Sequence, residues 1–262
     1  MNNTTAIILA AGLGKRMNDP ETPKVLFSIL DKPLLGYVVD VLQNLSSINF
    51  TINESIYVIG HHREKVKTFI SDYYSSNNIN HKFDFAIQND QLGTGHAVNQ
   101  AKDVIKSLED NILILCGDVP FLTSETIEKF INFHIENKSD VSVLSTIAPN
   151  PRGYGRIVRN ENGEFKQITE EKDATDEIRK IDEVNSGIYY LKAELLFDLL
   201  KNVNNKNVQN EYYLTDIIQI AISNNTKVNA YPIADFDELQ GINTQEELLE
   251  AEELYKEKIN LW

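Results

Sequence analysis

Between Thr5 and Tyr231, short apolar runs alternate with longer stretches whose apolar residues recur every three to four positions. Strand followed by helix followed by strand leaves few solutions, and the expected one is an α/β fold with a mostly parallel sheet flanked by helices. The runs at 6–10, 55–59, 83–87, 112–116, 141–147, 184–191 and 228–232 read as strands. Residues 34–44, 64–74, 94–108, 125–136 and 213–224 carry the helical period. One insertion breaks the alternation: 155–159 and 164–169 flank Asn162-Gly163, a dipeptide that favours a tight hairpin turn, so a ribbon should project from the sheet. No fixed-period repeat and no Pro/Ser linker divides the chain. Residues 1–242 therefore read as one unit and 243–262 as a closing acidic helix. Between 241 and 262 six Glu oppose two Lys, while Leu248, Ala251 and Tyr255 share one face that should fold back onto the rest.

Charge narrows the partners. Lys and Arg total 25 against 39 Asp and Glu, a net charge of −14, which disfavours nonspecific binding to nucleic acid or anionic lipid. No apolar run approaches the ~20 residues of a membrane helix, and the first residues lack the pattern of a secretory signal. Cys116 is the single cysteine, so neither an internal disulfide nor a cysteine metal cluster can form, and a reducing, cytoplasmic setting is expected.

The first strand ends in Leu9-Ala10-Ala11-Gly12-Leu13-Gly14-Lys15-Arg16-Met17, a Gly-rich turn at the strand edge where open α/β sheets bind ligands. Glycine lets backbone N–H groups approach a phosphate, so the turn can cradle an anion. A Rossmann fingerprint would need a third Gly where Met17 stands. A Walker loop would need a longer span and a Ser or Thr after Lys15. Residues 1–33 nevertheless hold four cations against three anions in a strongly acidic chain, so positive charge gathers where a polyanion would arrive.

Further stretches follow in order: Thr22-Pro23-Lys24-Val25-Leu26, Gln91-Leu92-Gly93-Thr94-Gly95-His96-Ala97, Gly117-Asp118-Val119-Pro120 and Gly153-Tyr154-Gly155-Arg156-Ile157. After them come Glu171-Lys172-Asp173-Ala174-Thr175, Glu183-Val184-Asn185-Ser186-Gly187-Ile188, Glu211-Tyr212-Tyr213-Leu214-Thr215-Asp216 and Gly241-Ile242-Asn243. With the first loop these nine stretches resemble the N-acetylglucosamine-1-phosphate uridyltransferases. The first marks the wider sugar nucleotidyltransferases, whereas Leu-Gly-Thr-Gly-His-Ala and Glu-Lys-Asp-Ala-Thr mark this branch. The resemblance implies a Rossmann-like nucleotidyltransferase fold. It also implies that N-acetylglucosamine 1-phosphate attacks the α-phosphorus of UTP, giving UDP-N-acetylglucosamine and pyrophosphate. A phosphate monoester has a second pKa of ~6, so this nucleophile is already mostly dianionic at neutral pH and needs no general base. What the reaction needs is alignment and charge neutralisation.

The resemblance also implies roles. Arg16 and Lys24 would be the catalytic cations, holding the triphosphate and stabilising the transition state, while Lys15 is expected to be a solvated charge. Leu9, Ala10, Ala11, Gly12, Gly117 and Asp118 would line the nucleotide, with Gln88, Gly93 and the adjoining Thr94 at the uracil. Gly155, Glu170 and Asn185 would contact the sugar, with Lys172 near its phosphate; the neighbouring Glu171 would exchange roles with Glu170 under an offset of one. Asp118 and Asn243 would ligate Mg²⁺, whose preference for oxygen suits both. Each has a plainer reading as a helix cap, competing with Thr123 or Ser124 in one case and Thr244 in the other. Cys116 stands where family members can carry an aromatic residue, and at the end of an apolar strand it reads as buried and inert. His61 and His62 are adjacent and so do not converge on a metal; His96 reads as structural, and His81 and His134 carry no motif.

Two other readings compete: a uridylyltransferase for another sugar 1-phosphate such as glucose 1-phosphate, and a silent sugar-nucleotide sensor. The stretches around Gly93 and Lys172 argue against the first. Retention of Arg16, Lys24, Asp118 and Asn243 argues against the second. Many bacterial relatives carry a second, acetyltransferase domain of hexapeptide repeats. Residues 243–262 show no such period, so a monomer or small homo-oligomer is expected.

Overall fold

The computed structural model describes residues 2–45, 50–233 and 235–260. Period-two burial generates the central layer. In β1 (Asn2–Ala10), Ala6, Ile8 and Ala10 enter one core while Ile7 enters the other, and all are buried. After β1 the chain makes a small hairpin of β2 (Ser28–Ile29) and β3 (Lys32–Pro33), then α1 (Leu34–Asn44), β4 (Phe50–Ile59), α2 (Arg63–Ser76) and β5 (Lys82–Ile87). There follow α3 (Thr94–Gln100), β6 (Asn111–Cys116), α4 (Ser124–Glu136), β7 (Val141–Ile147), β8 (Arg156–Arg159) and β9 (Phe165–Thr169). The chain closes with β10 (Glu183–Lys192), α5 (Ala193–Leu200), α6 (Asp216–Ser223), β11 (Val228–Ile233) and α7 (Gln245–Asn260).

The main sheet runs β11-β7-β10-β6-β1-β4-β5. All neighbours are parallel except β10, which is antiparallel to both β6 and β7. Its buried strands alternate between two faces: Ile112 and Ile114 of β6 join the core under α3, α5 and α6, while Leu113 and Leu115 join that under α1, α2 and α4. Burial on both sides explains why the strands read as continuous apolar runs.

The β8–β9 ribbon hangs from β10 by the Val184–Arg156 pairing. Its turn is longer than the Asn162-Gly163 pair alone. Gly163 N donates to Asn160 O at 2.9 Å, and the Asn160 side chain accepts from Asn162 N and Glu164 N. Gly163 takes φ +79° but Asn162 does not take positive φ, so the two-residue turn with both centres left-handed is replaced by an ordinary turn followed by a left-handed glycine.

Two helix expectations need correction, and one helix was not expected. The helix expected over 94–108 stops at Gln100, where the chain tightens into a 3₁₀ turn at Ala101–Asp103 closed by the Val104 amide on Ala101 O. The one expected over 213–224 begins at Asp216, since 212–214 is engaged elsewhere. Helix α5 was not anticipated; it continues the apolar run of β10 with no breaker between them. The acidic helix forms as α7, and residues 261–262 of that expectation lie outside the described residues. Leu248 and Ala251 are buried against Met17, Tyr37 and Ile242, with Tyr255 edge-on to Tyr37. Among the described residues no helix is long and apolar enough to cross a membrane.

Candidate active site

At the carboxyl edge of β1, β5 and β6 lies a cleft of 460 Å³. Its floor is the turn after β1, where the amides of Gly12, Leu13 and Gly14 have no hydrogen-bond partner among the described residues. Gly14 takes φ +60°, a left-handed conformation that lets the turn reverse into a 3₁₀ turn at Lys15–Met17. Met17 is fully buried, and its carbonyl accepts from Gln245 Nε2 at 2.7 Å, which pins the far end of the turn to α7. Both cations between are exposed, but Lys15 lines the cleft and Arg16 does not.

Beside this cradle three distant side chains meet. Gly117 N donates to Leu9 O at 3.0 Å, and a Cβ on Gly117 would sit 3.0 Å from that oxygen, so glycine lets Asp118 approach the end of β1 without pushing the strand back. Asn243 arrives because Ile242 N donates to Asp118 O at 2.9 Å while the Ile242 side chain is buried under α7. The Lys24 ammonium then donates both to Asp118 Oδ2 and, at 2.9 Å, to Asn243 Oδ1. Neither ligand candidate is spent as a cap. Thr123 caps α4 by accepting from Thr126 N at 3.1 Å. Thr244 accepts from Glu247 N, and Glu247 reaches back to the amides of Asn243 and Thr244, a reciprocal capping box.

Further along the same edge, Gln88 is buried, and its Nε2 donates to Gly93 O and to His96 Nδ1, each at 3.1 Å. Its Oε1 is left without a partner among the described residues. Gly93 has φ +109°, and a Cβ there would lie 2.6 Å from Tyr212 O. Tyr212 N bonds to Leu92 O, Gly95 N to Tyr212 O, and Leu214 N to Thr94 Oγ1, so the 211–214 segment clamps the loop and brings Glu211 to the cleft wall. Gln91 also lines the cleft. Of the residues expected at the nucleotide, Leu9, Ala11, Gly12, Gln88, Gly93, Thr94 and Asp118 line it, while Ala10 is buried behind them.

Gly155, Glu170 and Asn185 come together. Asn185 N donates to Gly155 O at 2.8 Å, and a Cβ on Gly155 would lie 3.5 Å from Glu170 Oε2. Glu170 accepts from Thr215 Oγ1 at 3.0 Å, and burial, reinforced by Asp216 and Asp173, pushes its carboxyl above the usual range. Glu171 does something different: it accepts from Arg156 at 2.8 Å and from Gly153 N at 3.2 Å, tying the ribbon's base together. The adjacent acids thus have distinct environments, with Glu170 beside Gly155 and Glu171 bound to the ribbon. Lys172 is exposed and has no partner among the described residues. A bulge in β10 between Asn185 and Tyr189 re-aims this strand, with Gly187 at φ +79°. A Cβ on Gly187 would meet Cys116 Sγ at 2.8 Å. Burial pushes the Cys116 thiol up to about 12, which leaves it protonated and unreactive.

Sequence reasoning missed Lys15, Gln91, Glu211 and Thr215, and it left His96 without a task. The clamp on Gly93 and the Thr215–Glu170 bond, both long-range contacts, single out Glu211 and Thr215. Among the described residues no group of three or more His, Cys, Asp or Glu side chains could hold a metal by itself. The Asp118–Asn243 pair offers two oxygens within reach of a single cation.

The chain belongs to the nucleotidyl transferase family, whose match covers residues 5–257. Bifunctional protein GlmU of Halalkalibacterium halodurans is 42% identical over 260 residues, spanning 99% of this chain and 54% of that protein. The proteins of the same description from Thermoanaerobacter pseudethanolicus and Clostridioides difficile are each 39% identical, over 99% and 98% of this chain and 53% of theirs. The chain thus spans about half the length of the curated relatives it matches. Among solved structures, a UDP-glucose pyrophosphorylase complexed with UDP-glucose shares the fold, with a TM-score of 0.77 over 97% of this chain and 99% of that one, at 19% identity.

Proposed function

We propose that this chain transfers the uridylyl group of UTP to N-acetylglucosamine 1-phosphate, forming UDP-N-acetylglucosamine and pyrophosphate. The observation that carries the reading is the meeting of Lys24, Asp118 and Asn243 beside a turn of unpaired amides at the carboxyl edge of the sheet. The family match and the GlmU relatives support it. A sugar phosphate oxygen forms the new bond to the α-phosphorus as the bond to the β-phosphate's bridging oxygen breaks, and pyrophosphate departs. No side chain need act as nucleophile. The turn that follows Leu9 and Ala10, with its unpaired amides at Gly12, Leu13 and Gly14 and with Gly117 behind it, holds the phosphates through backbone N–H groups. Lys24 and, on the cleft wall, Lys15 stabilise charge as it redistributes, and Arg16, the next residue of the turn, acts as a third cation by swinging in from solvent.

Gln88 Oε1 suits the N3–H of uracil, since His96 and the Gly93 carbonyl hold the amide with that oxygen free. Gly155 leaves room for the N-acetyl group; Glu170 and Asn185 face sugar hydroxyls, and Lys172 can reach the sugar phosphate. One carboxylate and one amide oxygen fit Mg²⁺, which usually completes its octahedron with phosphate oxygens and water. Asp118 and Asn243 would hold it, and when bound it would neutralise phosphate charge. Residues 1–242 would carry the site, with the α7 face of Leu248 and Ala251 closing over the Met17 end of the turn.

The test is pyrophosphate release from UTP, CTP and dTTP, each with N-acetylglucosamine 1-phosphate and with glucose 1-phosphate. The expected result is preference for UTP with N-acetylglucosamine 1-phosphate by at least about a hundredfold over CTP. Equal turnover with CTP, or preference for glucose 1-phosphate, would reassign the base or the sugar.

A further inference from the structure

We propose that Lys24 is an exchangeable counter-ion: its ammonium holds the seat of the divalent cation between Asp118 and Asn243 and leaves it when nucleotide and metal arrive together. The inference rests on the metal reading given above and adds to it what this chain's own lysine does beforehand. One Nζ donates to both oxygens that would ligate the metal, so ammonium and metal are alternatives for one position. The seat is prepared for a cation. Asn243 Nδ2 donates to Gly241 O at 3.0 Å, which turns Oδ1 toward Lys24, and the Thr244–Glu247 box relieves Asn243 of capping. The Lys24 and Asp118 side chains are only 15% and 14% exposed, so the carboxylate needs a counter-charge whenever no metal is present. Lys24 is its ion-pair partner among the described residues.

A route out also exists. A Cβ on Gly12 would lie 3.8 Å from Lys24 Cε and one on Gly14 3.0 Å from Lys24 Cβ, so the two glycines leave the lysine stem flanked by bare backbone. Those same residues carry the unpaired amides that suit phosphate. A polyphosphate bound there gives the ammonium a new anionic partner close to its present one.

The energetics follow from exchange. Metal alone must displace the ammonium without offering it another partner, and polyphosphate alone can engage Lys24 only by leaving Asp118 uncompensated. Together each removes the cost of the other, which is positive coupling and is reciprocal. Lys24 therefore sets the order of assembly by keeping the metal seat closed until a polyanion is present.

The experiment measures Mn²⁺ binding to the nucleotide-free full chain by electron paramagnetic resonance, for the wild type, Lys24→Met, Lys24→Arg and Lys24→Met combined with Asp118→Asn. Thermal unfolding of each verifies folding. Lys24→Met should bind Mn²⁺ at least about tenfold more tightly than wild type, because a unit positive charge has left the seat. Lys24→Arg should stay as weak as wild type, and Asp118→Asn should abolish the gain. Equal affinities for wild type and Lys24→Met, or equal gains in Lys24→Met and Lys24→Arg, overturn the exchange. Wild-type turnover with and without EDTA separates this from the underlying reading. If EDTA abolishes turnover while Lys24→Met shows no gain, the metal reading stands and the exchange falls; if EDTA leaves turnover intact, both fall.

Discussion

The hollow at the amino edge of the sheet is larger than the cleft at the carboxyl edge, 940 Å³ against 460 Å³, yet several of its polar groups are already engaged with one another. There Lys192 donates to Glu109 O at 3.0 Å, His134 bonds Ser142 at 2.9 Å, and Lys201 pairs with Asp198. Three lysines in its wall face four acids, so no net field invites a ligand. At the carboxyl edge the turn amides are unpaired, and glycines at 12, 14 and 93 let a ligand or a neighbouring backbone come close. Unmet donors and permitted approach, rather than volume, distinguish a site in an open α/β sheet.

Removing the carboxylate should separate the two edges most sharply. Asp118→Ala is expected to lower kcat by about a thousandfold or more, measured as pyrophosphate release, while the fold persists. Gly93→Ala comes next. With φ +109° and Tyr212 backbone atoms 2.6–2.8 Å from its Cβ, it should cost roughly 2–4 kcal/mol in denaturant unfolding. Gly163→Ala in the ribbon turn, with φ +79° but open space, should cost only about 1 kcal/mol.

The amino edge should show itself in stability. Burial, with Lys192 acting in the same direction against Asp140, depresses His134 to about 4. A histidine that binds fewer protons when folded contributes stability that is present above its unfolded pKa and is lost as pH falls from about 6.5 toward 4. His134→Gln should flatten that slope, removing roughly 1–3 kcal/mol of acid sensitivity in denaturant unfolding across this window, with kcat at pH 7.5 unchanged. Smallest of all, Lys192→Gln should leave kcat within about twofold of wild type.

The sheet was legible because buried strands write their burial as apolar runs, and α1 was readable from its periodicity between Pro33 and Leu45. α5 was not, since a strand running into a buried helix without Gly or Pro has no punctuation. Nor does local sequence encode the direction of β10, which depends on pairing with β6 and β7. In the site, the resemblance singled out Lys24, Asp118 and Asn243 separately, but that one lysine bonds both others and that a capping box frees Asn243 are tertiary facts. The 3₁₀ turn places successive side chains about 120° apart. One step therefore decides whether Lys15 or Arg16 faces the cleft, and composition cannot choose. Glu170 and Glu171 are equivalent acids until Thr215 and Arg156 distinguish them.

The most direct test of the comparison is amide hydrogen exchange on the full chain with and without UTP and Mg²⁺. The account predicts added protection in peptides covering 9–17 and 88–96, with peptides covering 102–111 and 192–201 unchanged. Protection confined to 102–111 and 192–201 would place the nucleotide in the larger hollow and contradict the assignment of the carboxyl edge.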